Sequence, residues 1–394
     1  AYVNPDATMM SEDRGALHIA FVGEGDAEDA GVAGANSPAM LIRALRQAGH
    51  RVTAVDCEVY GARRGLVAAM TWSANRERWT GRYHLHPRAH AARTRNARRG
   101  LAAIAGRLDA VIQYGSAFDA TLPDVPTFIW CDTCATVTRN EPFSWMTALS
   151  PREQDVVAAR EGALFRRVAG VLPWSRYAGD RIAAVTGAPA DRVHVTYVGP
   201  SLELGRAAAE RRSWQGPTVR VLFVGREFAR KGGDLLLDAV ASLRADRHDV
   251  RVTLVGPSSL PAAPDFVDFL GFLDKSRPAD VERLVDAYRD ADIFCLPTRR
   301  EPFGIAVAEA MLARLPVVAT SLSAIPEMVE EGTTGYLVNV DDRAALVDRL
   351  RRLVTDAGLR ERMGEAGLSR ARARFSWGAV AASVVDAIRT AVPA

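Results

Sequence analysis

The chain has 394 residues, a length that exceeds what one hydrophobic core usually holds and therefore predicts two domains. Its 48% hydrophobic and 25% charged residues exclude a disordered or fibrous protein, and the formal net charge of +3 indicates no particular partner. No apolar run approaches about 18 residues and the chain begins with acidic residues instead of a basic leader, so we expect a cytoplasmic protein without a membrane span.

The first part of the chain has the strand and helix pattern of a doubly wound sheet. A predicted strand at 17–23 runs into a glycine-rich loop, and a helix from about 37 to 48 leads to a strand at 51–56. The loop lacks the third glycine of the dinucleotide fingerprint, which excludes a nicotinamide enzyme. We expect Gly23, Gly25 and Gly34 to face the cleft between the domains, because glycine lets backbone amides approach a ligand closely.

An arginine-rich stretch follows, in which residues 60–107 contain eleven arginines and one glutamate, Glu77. Residues 87–99 predict a helix with arginines on one face, which is either a solvated surface or a patch over 76–107 that binds a membrane surface or a phosphorylated acceptor. Nucleic acid is not expected, because no aromatic residues are interleaved with the arginines of residues 87–99. A trio of histidines in this stretch has no supporting carboxylate, so no metal site is predicted there. These are His84, His86 and His90.

Two further strands are predicted at 109–115 and 126–132. Asp132 ends the second of them and is a candidate for binding a sugar or orienting an acceptor hydroxyl, although it could instead cap the next helix. Cys131 and Cys134 have the spacing of a redox pair or half a metal site. With no second pair and no histidine nearby, we interpret them as packed thiols.

Strong helix signals mark the end of this first half. Ser150, Pro151 and Glu153 predict a helix start with a capping box. A strand followed by a helix start is predicted at 168–175, and a last strand at 193–200. The polar segment after it, ending at Gly216, is interpreted as a linker.

The second half begins the pattern again with a strand at 219–226, a helix at 231–243 and a strand at 250–255. Arg226 and Lys231 lie at the strand end and the helix start, where helix amides also favour an anion. The only lysines in this arginine-rich chain are Lys231 and Lys275. We therefore interpret Lys231 as a phosphate-binding cation.

A second candidate motif follows the predicted strands at 266–271 and 291–297. Glu301 lies in the loop after the latter strand, and Glu309 lies eight positions later in a predicted helix that begins at 305. The amides at this helix start suit a diphosphate, and the two carboxylates can accept hydrogen bonds from hydroxyls of two sugars. Taken alone, the pair could also be a general acid and base. Asp290 and Asp292 have metal-binding spacing but lie where a strand begins, so no metal site is predicted.

These motifs resemble the signature of the retaining glycosyltransferases of family 4, which have the GT-B fold. The resemblance is carried by Glu301-Pro302-Phe303-Gly304 with Glu309, by Gly225-Arg226, and by Lys231. It is dense from about 219 to 375, recognisable from 169 to 200, and weak before that. It implies an α/β fold of two doubly wound, Rossmann-like domains facing a central cleft, with domains at 1–205 and 217–375, a linker at 206–216, and a helix at 376–394 packed back on the first domain.

The resemblance also implies roles for individual residues. Arg226 and Lys231 would hold the donor diphosphate, Glu301 and the backbone at Phe303 and Gly304 the transferred sugar, and Glu309 the ribose. Further donor-binding positions are Gly225, Gly256, Gly271, Phe272 and Ile305. Many family members carry a histidine at or near the position of Asp132, so the role of this aspartate stays open.

The predicted function is retaining transfer of a sugar from a UDP or GDP sugar to a small-molecule or lipid-linked acceptor. No metal or cofactor is expected, because Arg226, Lys231 and helix amides can neutralise the departing diphosphate. Peripheral contact with the inner membrane surface through residues 76–107 is part of this expectation. The alternatives are a nucleotide-sugar epimerase of the same fold and a catalytically silent nucleotide-sugar-binding module.

Overall fold

The computed structural model describes residues 15–25, 28, 36–141, 144–205, 216–260 and 263–391. Three predicted features lie outside these residues: Gly34 of the glycine loop, the linker over 206–215, and the last three residues of the carboxyl-terminal helix. Within the described ranges, no helix combines the length and apolar character that crossing a membrane requires.

The first domain is built on a parallel sheet of five strands in the order β2-β1-β3-β4-β5. The strands are β1 His18–Gly23, β2 Arg51–Asp56, β3 Ala110–Tyr114, β4 Thr127–Cys131 and β5 Gly170–Pro173. The accompanying helices are α1 Asn36–Gln47, α2 Gly61–Met70, α3 Arg76–Leu85, α4 Pro87–Ala102, α5 Pro151–Arg167 and α6 Arg176–Thr186. Strands β1, β4 and β5 are buried along their whole length, as expected when helices cover both faces of a parallel sheet.

The second domain has a parallel sheet of six strands in the order β11-β10-β9-β6-β7-β8. The strands are β6 Val219–Val224, β7 Val250–Val255, β8 Val267–Gly271, β9 Ile293–Leu296, β10 Val317–Thr320 and β11 Gly335–Val338. The helices are α7 Gly233–Ala245, α8 Pro278–Asp290, α9 Ile305–Leu312, α10 Ile325–Met328, α11 Arg343–Thr355, α12 Ala357–Phe375 and α13 Trp377–Ala391. The strand order reverses between β6 and β9, which is where doubly wound sheets bind ligands.

Most predicted elements agree with the structure to within a few residues, and α5 begins with the predicted capping box at Ser150 and Glu153. The predicted strand at 193–200 is wrong. His194 N and Thr196 N donate to carbonyls of β5, but only one isolated bridge forms, between Val171 and Val193. Tyr197 has φ 59°, a left-handed conformation that turns the chain away from the sheet and ends the ladder.

Helices α2 and α3 are not predicted by the sequence pattern. In α2 only Val67 is buried, so the helix has no apolar stripe to mark its period.

Burial also separates the arginines of the arginine-rich stretch into buried and exposed ones. Ala89, Arg93 and Ala97 form the buried stripe of α4, and the guanidinium of Arg93 is fully buried. The predicted arginine-rich face therefore corresponds to the exposed side of α4, and Arg93 does not belong to it.

Helix α13 packs against α1 and β5 of the first domain. Trp377 Nε1 donates to the carbonyl of Pro200 at 2.7 Å. The indole approaches the backbone at Gly199 so closely that a Cβ there would lie 2.5 Å from the ring. The start of α13 thus packs against the segment that connects the first domain to the second.

Candidate functional site

The loops after β6, β7 and β9 meet at the point where the second sheet reverses its strand order. Glycines make this meeting possible. A Cβ on Gly256, whose φ is 121°, would lie 2.5 Å from the backbone of Gly225. A Cβ on Gly225 would lie 2.9 Å from Lys231 Cγ. Larger residues would separate the loops that carry the predicted diphosphate-binding positions.

Lys231 and Glu301 form an ion pair across these loops. Gly232 adopts a left-handed turn with φ 76°, and a Cβ on it would lie 2.0 Å from the carbonyl oxygen of Pro297. This close packing places the end of the β6 loop against the end of β9. Lys231 Nζ therefore donates to Glu301 Oε2 although 70 residues separate them, and the two side chains are 15% and 10% exposed.

Glu309 lies in a separate, fully buried position on α9. Its carboxylate accepts hydrogen bonds from Ser201 N at 3.1 Å, Ser201 Oγ at 2.6 Å and Tyr288 OH at 2.9 Å. Lys275 Nζ lies 3.4 Å away and also donates to Ser201. Burial, with the neighbouring Glu309, raises the pKa of Tyr288 well above its usual value, so its hydroxyl remains a donor. The two glutamates of the motif thus have different partners and do not form one acid and base pair.

The remaining predicted donor positions surround these groups in different ways. Gly304 caps α9 with φ 104°, while the Phe303 side chain is buried edge-on against Phe375 and leaves only its backbone for a ligand. Ile305 is half-buried against the core. Arg226 is exposed, and its guanidinium lies 5.2 Å from the ring centre of Phe272, next to Gly271 at the end of β8. Among the described residues, no hydrogen bond joins Arg226 to Lys231 or Glu301.

Asp132 approaches this centre from the first domain, at the carboxyl end of β4. Burial raises its pKa, its backbone hydrogen bonds lower it in part, and the charge of Glu301 raises it further. Asp132 and Glu301 both line the cavity between the domains. Gly23 ends β1 and Gly25 follows it, where Gly25 N donates to Asp56 at the end of β2.

Glu161 positions the loop that carries Asp132, and the sequence did not reveal this role. Its buried carboxylate accepts hydrogen bonds from Ala135 N at 3.0 Å, Thr136 N at 2.8 Å and Ser116 Oγ at 2.6 Å. The one available signal was a glutamate on the buried stripe of α5, four residues after Val157. A buried carboxylate needs such partners, because an uncompensated charge is costly away from water.

The four cysteines are free thiols, all buried. Burial raises the pKa of Cys131 and Cys134, and the charge of Glu161 adds to the effect. They are therefore poor thiolates, and the prediction of packed thiols is confirmed. Two histidines of the trio make structural contacts: His84 stacks on Trp145 and lies 3.4 Å from the Glu24 carboxylate, which the sequence did not predict, and His86 caps α4 by accepting from Arg88 N.

A cavity of about 810 Å³ lies between the domains and contains Asp132 and Glu301 in its wall. Charged groups connect the two domains. Arg300 donates to Glu141 of the first domain at 2.8 Å, and Glu327 accepts from the backbone amides of Arg176 and Tyr177 at 2.8 Å each. The second contact caps helix α6 of the first domain with a carboxylate of the second. The structure thus brings both domains together around one cleft.

Comparison with known proteins assigns the second domain. Its residues 218–356 match the family described as Glycosyl transferases group 1. They form a group 1 glycosyltransferase domain. The curated relatives of this chain include the D-inositol 3-phosphate glycosyltransferase of Streptomyces avermitilis, 35% identical over 247 residues that cover 55% of this chain and 53% of the relative. The phosphatidyl-myo-inositol mannosyltransferase of Mycobacterium leprae is 36% identical over 179 residues, which cover 43% and 46%. The chain spans about half the length of these relatives.

Solved structures show the same architecture over nearly the whole chain. The sucrose-phosphate synthase of Thermosynechococcus elongatus superposes with a TM-score of 0.67 at 19% identity, covering 95% of this chain and 98% of that one. WaaG, a glycosyltransferase involved in lipopolysaccharide biosynthesis, superposes with a TM-score of 0.63 at 16% identity, covering 94% and 98%. The family resemblance and the GT-B fold are confirmed. At this identity the superpositions support the fold alone.

Proposed function

We propose that this chain is a retaining glycosyltransferase that uses a UDP or GDP sugar. The observation that carries the proposal is the Lys231–Glu301 pair where the second sheet reverses its strand order, in a cavity that Asp132 of the first domain also lines. A cation beside free helix amides suits a diphosphate, and a carboxylate next to it suits sugar hydroxyls. The names of the curated relatives, which are glycosyltransferases, support the same reaction class.

In the proposed mechanism, the departing diphosphate is stabilised by Lys231, by Arg226, and by the amides at the start of α9. Positive charge placed in advance where negative charge develops lowers the barrier without a metal ion or cofactor. Glu309 holds the ribose, whose hydroxyls replace the donors that Ser201 and Lys275 supply in this structure. Glu301 accepts hydrogen bonds from hydroxyls of the transferred sugar and positions it above the cleft.

Transfer then occurs on one face of the sugar. The bond from the anomeric carbon to the phosphate oxygen breaks, the acceptor oxygen forms a bond on the same face, and the acceptor proton passes to the departing diphosphate. Asp132 orients the acceptor hydroxyl from the opposite domain. The contacts of Glu327 and Arg300 hold the domains close enough to exclude water and align the reactants.

Incubation with labelled UDP and GDP sugars tests this proposal. We expect release of the nucleoside diphosphate, with slow donor hydrolysis when no acceptor is present, and a product whose anomeric configuration by NMR equals that of the donor. An inverted product would contradict retention. An isomerised donor would identify an epimerase, and binding without turnover would identify a silent binding module.

We further propose that the acceptor is a small molecule or a lipid-linked one, and that the protein works in the cytoplasm at the inner membrane surface. Part of the arginine-rich stretch is engaged internally, since Arg93 pairs with Glu24 and Arg98 with Asp119. In the same stretch as the remaining exposed arginines, α2 and the second residue after its end expose large apolar side chains. These are Leu66 at 58%, Met70 at 44% and Trp72 at 66%.

Sedimentation with phosphatidylglycerol vesicles tests membrane contact. We expect the protein to sediment with the vesicles at low salt, and less at high salt, because charges at the surface are screened. Leu66→Glu should weaken the association. Val185→Glu is a matched control, since Val185 is 45% exposed on α6, away from the arginines. Equal sedimentation of both variants would contradict contact through this surface.

A further inference from the structure

A second cavity, of about 590 Å³, lies between the domains beside the first one. Its walls come from the start of α3, from the short helical turn Trp145–Ala148, and from the loops after β6 and β9. Apart from Pro302, no residue of the motifs that carry the family resemblance lines it, and none of the predicted donor positions does. Three residues line both cavities: Arg230, Arg300 and Pro302. The two cavities therefore adjoin, and Pro302 directly follows Glu301, which lines the first one.

The second cavity has an excess of positive charge. Four arginines and two glutamates line it: Arg76, Arg78, Arg230, Arg300, Glu77 and Glu227. Arg230 pairs with Glu227 at 2.7 Å, and Arg300 pairs with Glu141.

Arg76 and Arg78 are the arginines available to a ligand. Among the described residues, no carboxylate forms an ion pair with either guanidinium, and both side chains are exposed. They belong to the first turn of α3, where the helix dipole adds positive potential although Asn75 caps the amide of Arg78 and Glu77 lies between the two arginines. A planar guanidinium suits a phosphate or carboxylate group, because it can donate two parallel hydrogen bonds.

Trp145 gives the cavity a flat apolar wall. One face of its indole stacks on His84, with ring centres 4.7 Å apart and an angle of 16° between the rings. The turn is fixed against α3 at Gly81, where a Cβ would lie 3.0 Å from the Trp145 carbonyl oxygen. The residue is nevertheless 49% exposed and lines the cavity. A rigid aromatic surface of this kind packs against the C–H groups of a sugar or cyclitol ring.

We propose that this second cavity binds the acceptor, and that the acceptor is a polyhydroxylated ring with an anionic group. The ring lies on Trp145 and the anion between Arg76 and Arg78, while a ring hydroxyl reaches past Pro302 to the cavity that Asp132 and Glu301 line. The inference rests on the proposed function and assigns the acceptor side, which the donor motifs leave open.

Calorimetry with defined probes tests the proposal. The probes are glucose 6-phosphate and myo-inositol 3-phosphate, their unphosphorylated counterparts, and inorganic phosphate, each added to the protein saturated with UDP or GDP. We expect at least one sugar or cyclitol phosphate to bind about tenfold more tightly than its unphosphorylated counterpart and than phosphate alone. Arg76→Gln with Arg78→Gln should remove this preference, and Trp145→Ala should weaken both members of the pair.

Arg95→Gln serves as the matched control, because Arg95 is an exposed arginine on α4 outside both cavities. It should leave the affinities unchanged. Failure of every phosphorylated probe to bind at millimolar concentration would overturn the proposal, as would equal binding to wild type and the double arginine variant. Donor binding and slow donor hydrolysis should persist in all these variants. Their loss in the wild-type protein would contradict the proposed function itself.

Discussion

Replacing Lys231 with methionine should lower donor affinity and turnover together, with kcat/KM falling by about 100-fold or more. Lys231 is the cation of the Lys231–Glu301 pair, and both side chains are largely shielded from water. Methionine removes the charge that would stabilise the departing diphosphate. It also leaves Glu301 without its partner, so the free energy of unfolding should fall by about 2–3 kcal/mol. Calorimetry with UDP and GDP sugars and steady-state kinetics measure both effects.

A double variant separates these two effects. Lys231→Met combined with Glu301→Gln leaves a neutral amide in place of the isolated carboxylate, so much of the lost stability should return. Turnover should not return, because neither the cation nor the sugar-binding carboxylate is restored. Recovery of activity in the double variant, or unchanged donor affinity in Lys231→Met, would refute the assignment of this pair to donor binding.

Replacing Glu309 with alanine should weaken donor binding by about ten- to a hundredfold, the range expected when one or two hydrogen bonds to a charged group are lost. Its buried carboxylate is held in place by Ser201 and Tyr288, close to the Lys275 ammonium group. A donor ribose would take over the Ser201 contact. Titration with the free nucleoside diphosphate measures this effect without interference from turnover.

Tyr288→Phe is the matched control for Glu309. It removes the hydroxyl that donates to Glu309 and keeps the ring that stacks on Phe294, with centres 6.2 Å apart. Both variants should lower stability, because each breaks a buried hydrogen bond, but only Glu309→Ala should cause a large loss of donor affinity. Similar affinities in the two variants would mean that Glu309 supports the interface between the domains and does not contact the donor.

The donor half of the molecule was predictable because its signals are local. Buried strands such as β9 appear as short apolar runs, and helix starts at Ser150 and Gly304 are marked by capping residues or glycine. The residues that follow parallel strands at one edge of a sheet must lie close together, which predicts that the loops containing Lys231 and Glu301 meet. The pairing of these two side chains nevertheless needs the left-handed turn at Gly232 and its contact with Pro297.

The acceptor half was less predictable because its key contacts join distant segments. Nothing in the sequence near Glu161 shows that its carboxylate holds the loop of Asp132, and Ser201 gives no sign that it will contact Glu309. The sequence also does not distinguish the arginines between 60 and 107 from one another. In the structure, Arg93 is buried, whereas Arg76 and Arg78 are exposed at a cavity.

The sequence by itself determined the fold class and most of the strands and helices, since hydrophobic period, capping residues and motif spacing act over short stretches of chain. Only the tertiary structure decided which charges remain available to a ligand. Whether a charged side chain forms an ion pair depends on which distant segments pack beside it. Lys231, Glu309 and Arg93 each have a partner at least 34 residues away in the sequence. For the same reason the cavity beside Trp145, bounded by both domains, exists only in the folded chain.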